Sequence, residues 1–148
     1  MHADISLAER ASLSDAVRLL AAQLAEHAIT LDDDAITRGV AGLLEDPRRG
    51  CILLARAAGQ PVGLACLSFI WTLEHGGFSV WLDELYVVPH LRSQGLGQKL
   101  VHAVIAHARS LGAAAIDLEV DEDHARAAHL YAREGFTPHR RARWVRPL

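Results

Sequence analysis

The stretch Val87-Val88-Pro89-His90-Leu91-Arg92-Ser93-Gln94-Gly95-Leu96-Gly97-Gln98-Lys99 decides the fold. Upstream of it, Phe78 to Val88 is rich in aromatic and β-branched residues and reads as a strand stopped by Pro89. Downstream, Leu100, Val101, Val104, Ile105, Ala108 and Leu111 recur at helical spacing, and Gly112 suits a C-cap. A strand that passes through glycines into a helix presents the unpaired N–H groups of the first helical turn, where the dipole favours an anion. Glycine also lets the backbone approach its ligand closely. A phosphate is the guest such a turn suits.

Two common phosphate-binding patterns do not match. A Walker A loop needs Gly-x-x-x-x-Gly-Lys-Ser/Thr, yet Lys99 lies two residues past Gly97 and is followed by Leu100. A dinucleotide fingerprint needs a third glycine in Gly-x-Gly-x-x-Gly, and that glycine is missing.

Working outward, Ala115 to Val120 reads as a buried strand, and strand-helix-strand predicts a parallel pair with a right-handed crossover. Ala125 to Arg133 gives a further helix that Gly135 ends. Phe136 to Pro147 is expected to close the chain with short β segments, including a strand through Trp144 and Val145. On the N-terminal side, Cys51 to Ala57, the turn Gly59-Gln60-Pro61 and Val62 to Trp71 predict a hairpin, and Gly76-Gly77 turns into the Phe78 strand. Before it come a short strand from Ile5 to Glu9 and a helix capped by Ser12 or Ser14 that ends near His27. A second helix starts at Thr30 to Asp34 and stops before Pro47. The sum is a mixed α/β sheet.

Composition sets the class. A chain of 148 residues, 51% hydrophobic and 22% charged, suits one soluble domain spanning residues 1–148. The net charge of −3, with Lys99 the only lysine, gives no general footprint for nucleic acid. Arg140, Arg141, Arg143 and Arg146 form a local cluster that reads as a solvated terminal strand. Cys51 and Cys66 lack metal or redox spacing, and the nine histidines show no metal-ligand pattern, so no metal is expected. No apolar run approaches the roughly 20 residues of a membrane span, so no membrane association and a cytoplasmic location are expected.

Arg92-x-x-Gly95-x-Gly97 resembles the pyrophosphate-binding motif of the GNAT superfamily of N-acetyltransferases. Leu82-Asp83-Glu84-Leu85-Tyr86-Val87 looks like that family's central strand and Ile116 to Val120 like the strand that splays from it. Leu130-Tyr131-x-x-x-Gly135-Phe136 looks like its late helix and turn, so the resemblance covers about residues 60 to 137. Ser68-Phe69-x-Trp71-Thr72, Gly76 and the Asp83-Glu84 pair look most like the diamine and polyamine branch.

The resemblance implies an α/β (α+β) fold: a mixed, mostly antiparallel sheet flanked by helices, with a splayed parallel pair and a Gly-rich loop before the central helix. It implies acetyl-CoA as co-substrate and a primary amine as acceptor, acetylated by direct attack in a ternary complex, and the adjacent carboxylates Asp83 and Glu84 suggest that the acceptor is a small cation. A peptide or protein amine, an aminoglycoside-like antibiotic, or a CoA-binding module with little catalysis satisfies the same letters. Leu85, Tyr86 and Val87 would bond the pantetheine arm through their backbone. Ser93, Gln94, Gly95, Leu96, Gly97 and Gln98 would receive the pyrophosphate, with Arg92 adding charge or bracing the loop. Tyr131 matches the family's acid, its phenol titrating near a thiol. Glu84 and Asp83 are the candidate bases, and strand alternation sends them to opposite faces, with Glu84 beside Leu82 and Tyr86. His124 stands where the family often has Asn, which leaves its contact with the pantetheine arm open against a plain helix start. His75 and Glu74 lie in the turn before the central strand and read as structural or exposed. Many family members are dimers, so the resemblance implies a homodimer, to which Arg143 to Leu148 could contribute.

Overall fold

The computed structural model describes residues 2–148. In chain order it has β1 (Asp4–Leu7), α1 (Leu13–Glu26), α2 (Asp33–Glu45), β2 (Gly50–Ala57), β3 (Gln60–Thr72), β4 (Gly77–Val87), α3 (Leu96–Ser110), β5 (Ile116–Leu118) and α4 (Ala125–Arg133). Short 3-10 turns at Arg10–Ser12 and Pro89–Leu91 precede α1 and α3. The five strands lie in the order β1-β2-β3-β4-β5. All pairs are antiparallel except β4 with β5.

Apolar residues on both faces of the central strands explain why helices cover both sides. Along β2 and β3, Ile52, Leu54, Leu64 and Cys66 face α1 and α2, where they meet Ala16, Leu19, Leu24, Ile36 and Val40. Their alternates Leu53, Ala55, Ala65 and Leu67 face α3 and meet Leu96, Leu100, Val101 and Val104. Each Leu, Ile or Val among them, fully buried, stabilises the fold by about 1.5–3 kcal/mol. Asp32 caps α2, its carboxylate accepting from the Ala35 amide at 2.7 Å.

Three expectations change at the chain ends and at β5. The first strand runs Asp4–Leu7, one residue earlier at its start and two shorter at its end than the sequence suggests. β5 is only Ile116–Leu118, because its pairing with β4 stops after Leu82↔Leu118. Residues 136–147 contain no strand. Trp144 and Val145 are 92% and 80% exposed, so the expected closing strand has no apolar face to bury. Side-chain pairs hold that segment instead: Arg141 with Glu74 at 2.7 Å and Arg143 with Glu119 at 2.8 Å. Among the described residues, no helix is long and apolar enough to cross a membrane.

Candidate active site

A bulge in β4 brings both carboxylates to one place. The β3–β4 ladder pairs Leu67 with Leu82 and then Cys66 with Glu84, leaving Asp83 unopposed. One extra residue flips the alternation. Leu82 therefore packs on the α3 side while Tyr86 packs on the α1 and α2 side. Asp83 and Glu84 line the same groove, together with Ser68 and Cys66. This corrects the expectation of opposite faces, and it separates Glu84 from Leu82.

The two acids differ in environment. Asp83 is exposed and accepts a 2.6 Å hydrogen bond from the Ser68 hydroxyl. Glu84 is half-buried, and its carboxyl is pushed above the usual range by burial and then by Asp83, with His27 pulling it down. Cys66 is buried beside them; desolvation and the two carboxylates push its thiol far up, so it stays an unreactive SH.

The same place is where the sheet opens. β5 leaves β4 after Leu82, while β4 continues to Val87. The Val88 amide donates to Val62 O at 3.0 Å. By the alternation of an antiparallel ladder, the Tyr86 backbone then also faces β3, and Leu85 and Val87 face the gap. Arg92 Nε donates to the Val87 carbonyl at 2.7 Å, and its Nη2 reaches both Glu26 oxygens at 2.7 and 2.8 Å. Its guanidinium also sits 5.3 Å from the Tyr86 ring centroid. Arg92 thus braces the end of β4 against α1. Lysine keeps the charge but lacks the planar fork. Arg92→Lys is expected to cost about 1–2 kcal/mol in urea unfolding, the low end for charged hydrogen bonds because the pair is partly exposed.

Beyond Pro89–Leu91 the chain turns sharply. Ser93 and Gly95 have φ of 63° and 82°, the left-handed region that Gly95 enters without steric cost. Gly95 is the N-cap of α3 and supplies no side-chain cap, so the amides of Leu96, Gly97 and Gln98 lack an intrahelical partner. The Leu96 side chain is buried, and Gln94 and Gln98 bond His90 O and Glu134. A groove of about 640 Å³ opens at this turn, lined by Ser93, Gly95 and Gln98 on one side and Arg126, His129 and Arg133 of α4 on the other. Arg126 donates to Ser93 Oγ at 2.8 Å.

Tyr131 is buried in α4, edge-on to Phe136 with ring centroids 5.7 Å apart. Burial, and secondarily the Glu84 charge, pushes its phenol up to about 12. His124 occupies the N-cap of α4 without a side-chain cap bond. Its ring meets that of His27 edge-on, centroids 5.8 Å apart, and His27 pairs with Asp121 at 3.5 Å. His75 holds Asp117 of β5 at 2.7 Å, which makes it a clamp between the β3–β4 turn and β5.

The Acetyltransferase (GNAT) family profile matches residues 15–136. The chain belongs to the GNAT acetyltransferase family. It is 36% identical over 112 residues to an uncharacterized N-acetyltransferase of Mycobacterium tuberculosis, covering 75% of this chain and 68% of that one. It is 31% identical over 123 residues to the aminoalkylphosphonate N-acetyltransferase of Salmonella typhimurium, covering 83% and 78%. A solved aminoglycoside N-acetyltransferase in complex with CoA shares the fold, with a TM-score of 0.84 at 20% identity over 99% of this chain and 95% of that one.

As a GNAT member the chain is an acyl-CoA-dependent N-acetyltransferase. Asp83, Glu84 and the β4 edge gather where this acetyltransferase's sheet opens, and Tyr131 lies within electrostatic reach of Glu84. Ser93 to Gln98 form a separate cluster at the α3 N-terminus. Sequence reasoning missed Arg126, His129 and Arg133. Their spacing of i, i+3 and i+7 put them on one face of α4, a visible signal, but the letters did not say that this face looks at the Gly95 turn.

Proposed function

We propose that this acetyltransferase moves an acetyl group from acetyl-CoA to the primary amine of a small cationic molecule by direct attack in a ternary complex. The observation that carries the reading is the bulge at Asp83, which sets two carboxylates at the point where β4 parts from β5. The chain's own features suit CoA: an uncapped helix N-terminus behind Gly95, a basic wall on α4, and a strand edge with backbone groups facing a gap. Buried or gap-facing amides need partners, and a ligand lying as an added strand supplies them.

In this reading Leu85 and Val87 hold the pantetheine arm through their backbone, the amides of Leu96 to Gln98 receive the pyrophosphate, and Arg126 and Arg133 add charge to them. Arg92 acts as a brace. Acetyl-CoA supplies the thioester. Glu84 takes the proton the ammonium must lose, and Asp83 helps to hold that ammonium. The amine nitrogen then bonds the acetyl carbon and gives up its second proton to solvent as the carbon–sulfur bond breaks, and Tyr131 donates a hydrogen bond to the departing sulfur. Full proton transfer from a phenol near 12 to a thiolate near 8.5 is uphill. Tyr131 therefore stabilises the charge while keeping most of its proton, and solvent completes the transfer. Tyr131→Phe is expected to lower kcat about 100-fold with little change in acetyl-CoA affinity.

The pH profile follows from the same groups. Glu84 works as the carboxylate, so activity falls as pH drops through its raised pKa. Tyr131 works as the phenol, and a value of about 12 places no alkaline loss from it below pH 10. Free thiol release from acetyl-CoA with a broad amine panel tests the function. Binding of acetyl-CoA with no amine-dependent release above hydrolysis removes this reading.

A further inference from the structure

The groove above the two carboxylates is apolar everywhere except its floor. It encloses about 400 Å³, with Leu20 and Leu24 of α1 on one wall, Val40 and Leu43 of α2 on the other, and Asp83 and Glu84 beneath. No lysine or arginine lines it. At its edge Leu31, in the α1–α2 linker, is 49% exposed.

Gly39 lines the same groove from the interior of α2. A Cβ added there would meet no atom within 4 Å, so packing does not demand glycine. Glycine in a helix interior costs stability relative to alanine. At this position it leaves that part of the groove wall without a side chain.

Building on the acetyltransferase reading above, we infer that the acceptor is a primary amine with one positive charge on an apolar body, an alkyl- or arylalkylamine, whose ammonium meets Asp83 and Glu84 and whose body lies among the leucines. Adjacent carboxylates serve one ammonium. The second ammonium of a polyamine would lie against Leu20, Leu24, Val40 and Leu43 and lose its hydration without a partner. An acidic group on the amine, such as a phosphonate, would face two carboxylates in a groove that no lysine or arginine lines.

The test is a series from ethylamine to hexylamine, with putrescine matched to butylamine and 2-aminoethylphosphonate to propylamine, read as thiol release from acetyl-CoA. Burial of each methylene predicts a rise in kcat/KM of about fourfold per carbon. Putrescine and the phosphonate should each fall at least about tenfold below their matched alkylamine. Gly39→Leu fills the groove and improves helix propensity, so it should flatten the series, with acetyl-CoA affinity reporting that the protein is folded. Leu31→Ser, at an exposed position, should lower the slope without touching the core.

A flat series in the native protein, or putrescine at or above butylamine, overturns the inference while leaving acetyl transfer standing. If no amine releases thiol, calorimetry of hexylamine with the CoA-loaded protein decides. Binding that Gly39→Leu abolishes keeps the groove assignment while acetyl transfer to amines falls; absence of binding removes both.

Discussion

Ser93→Asp is expected to raise the Kd for acetyl-CoA about 100-fold while leaving the fold intact. Ser93 has φ of 63°, a conformation that Asp and Asn accept more readily than other side chains with a Cβ. Its hydroxyl already accepts from Arg126 at 2.8 Å, and a carboxylate would accept there more strongly. The new charge would stand beside the amides of Leu96 to Gln98, the proposed pyrophosphate site. At about 5 Å and an effective dielectric near 20, repulsion between unit charges is about 3 kcal/mol, about two powers of ten in affinity. Ser93→Asn has the same shape and no charge, so it should bind within about threefold of the native protein. The loss in Ser93→Asp should shrink at high salt, since the groove is open to solvent. Titration of each variant with acetyl-CoA, beside a thermal melt, checks both parts.

Glu84→Gln is expected to lower kcat by about 10²–10³-fold at neutral pH, within the usual contribution of about 10²–10⁴-fold from a positioned base. Glutamine keeps the size and the polarity of the site but accepts no proton. The acid limb assigned to Glu84 should vanish from the remaining activity. Asp83→Asn is expected to act differently. Asp83 is exposed and bonded to Ser68, so its loss should raise KM for the amine more than it lowers kcat. It should also move the acid limb to lower pH, because Asp83 is one of the two causes that push Glu84 up. Steady-state kinetics from pH 5 to 9 on both variants measure this split.

The features legible in the sequence were those set by local spacing. The turn at Gly95, the start of α3 and the α3 stripe of Leu100, Val101 and Val104 each follow from a few neighbouring residues, and the structure places them as read. The bulge was not legible. Alternation along Leu82 to Tyr86 counts residues within one strand, whereas Asp83 is skipped by the register of β3 against β4. That skip turns two carboxylates on opposite faces into two on one groove. The role of Arg92 was half legible, since the motif left charge and bracing open and only the fold shows Glu26 arriving from α1. The closing strand was misread because Trp144 and Val145 have strand-like composition, while the edge they would need ends at Leu118.

On the proposed reading the opened edge of β4 holds the pantetheine arm and the α3 N-terminus holds the pyrophosphate, which together set the thioester beside Glu84. Residue-resolved amide hydrogen exchange with and without acetyl-CoA tests it most directly. New protection is expected at Leu85, Val87, Leu96, Gly97 and Gln98, with Tyr86 unchanged because its amide already faces β3. Unchanged exchange at Leu85 and Val87 under saturating acetyl-CoA would contradict it.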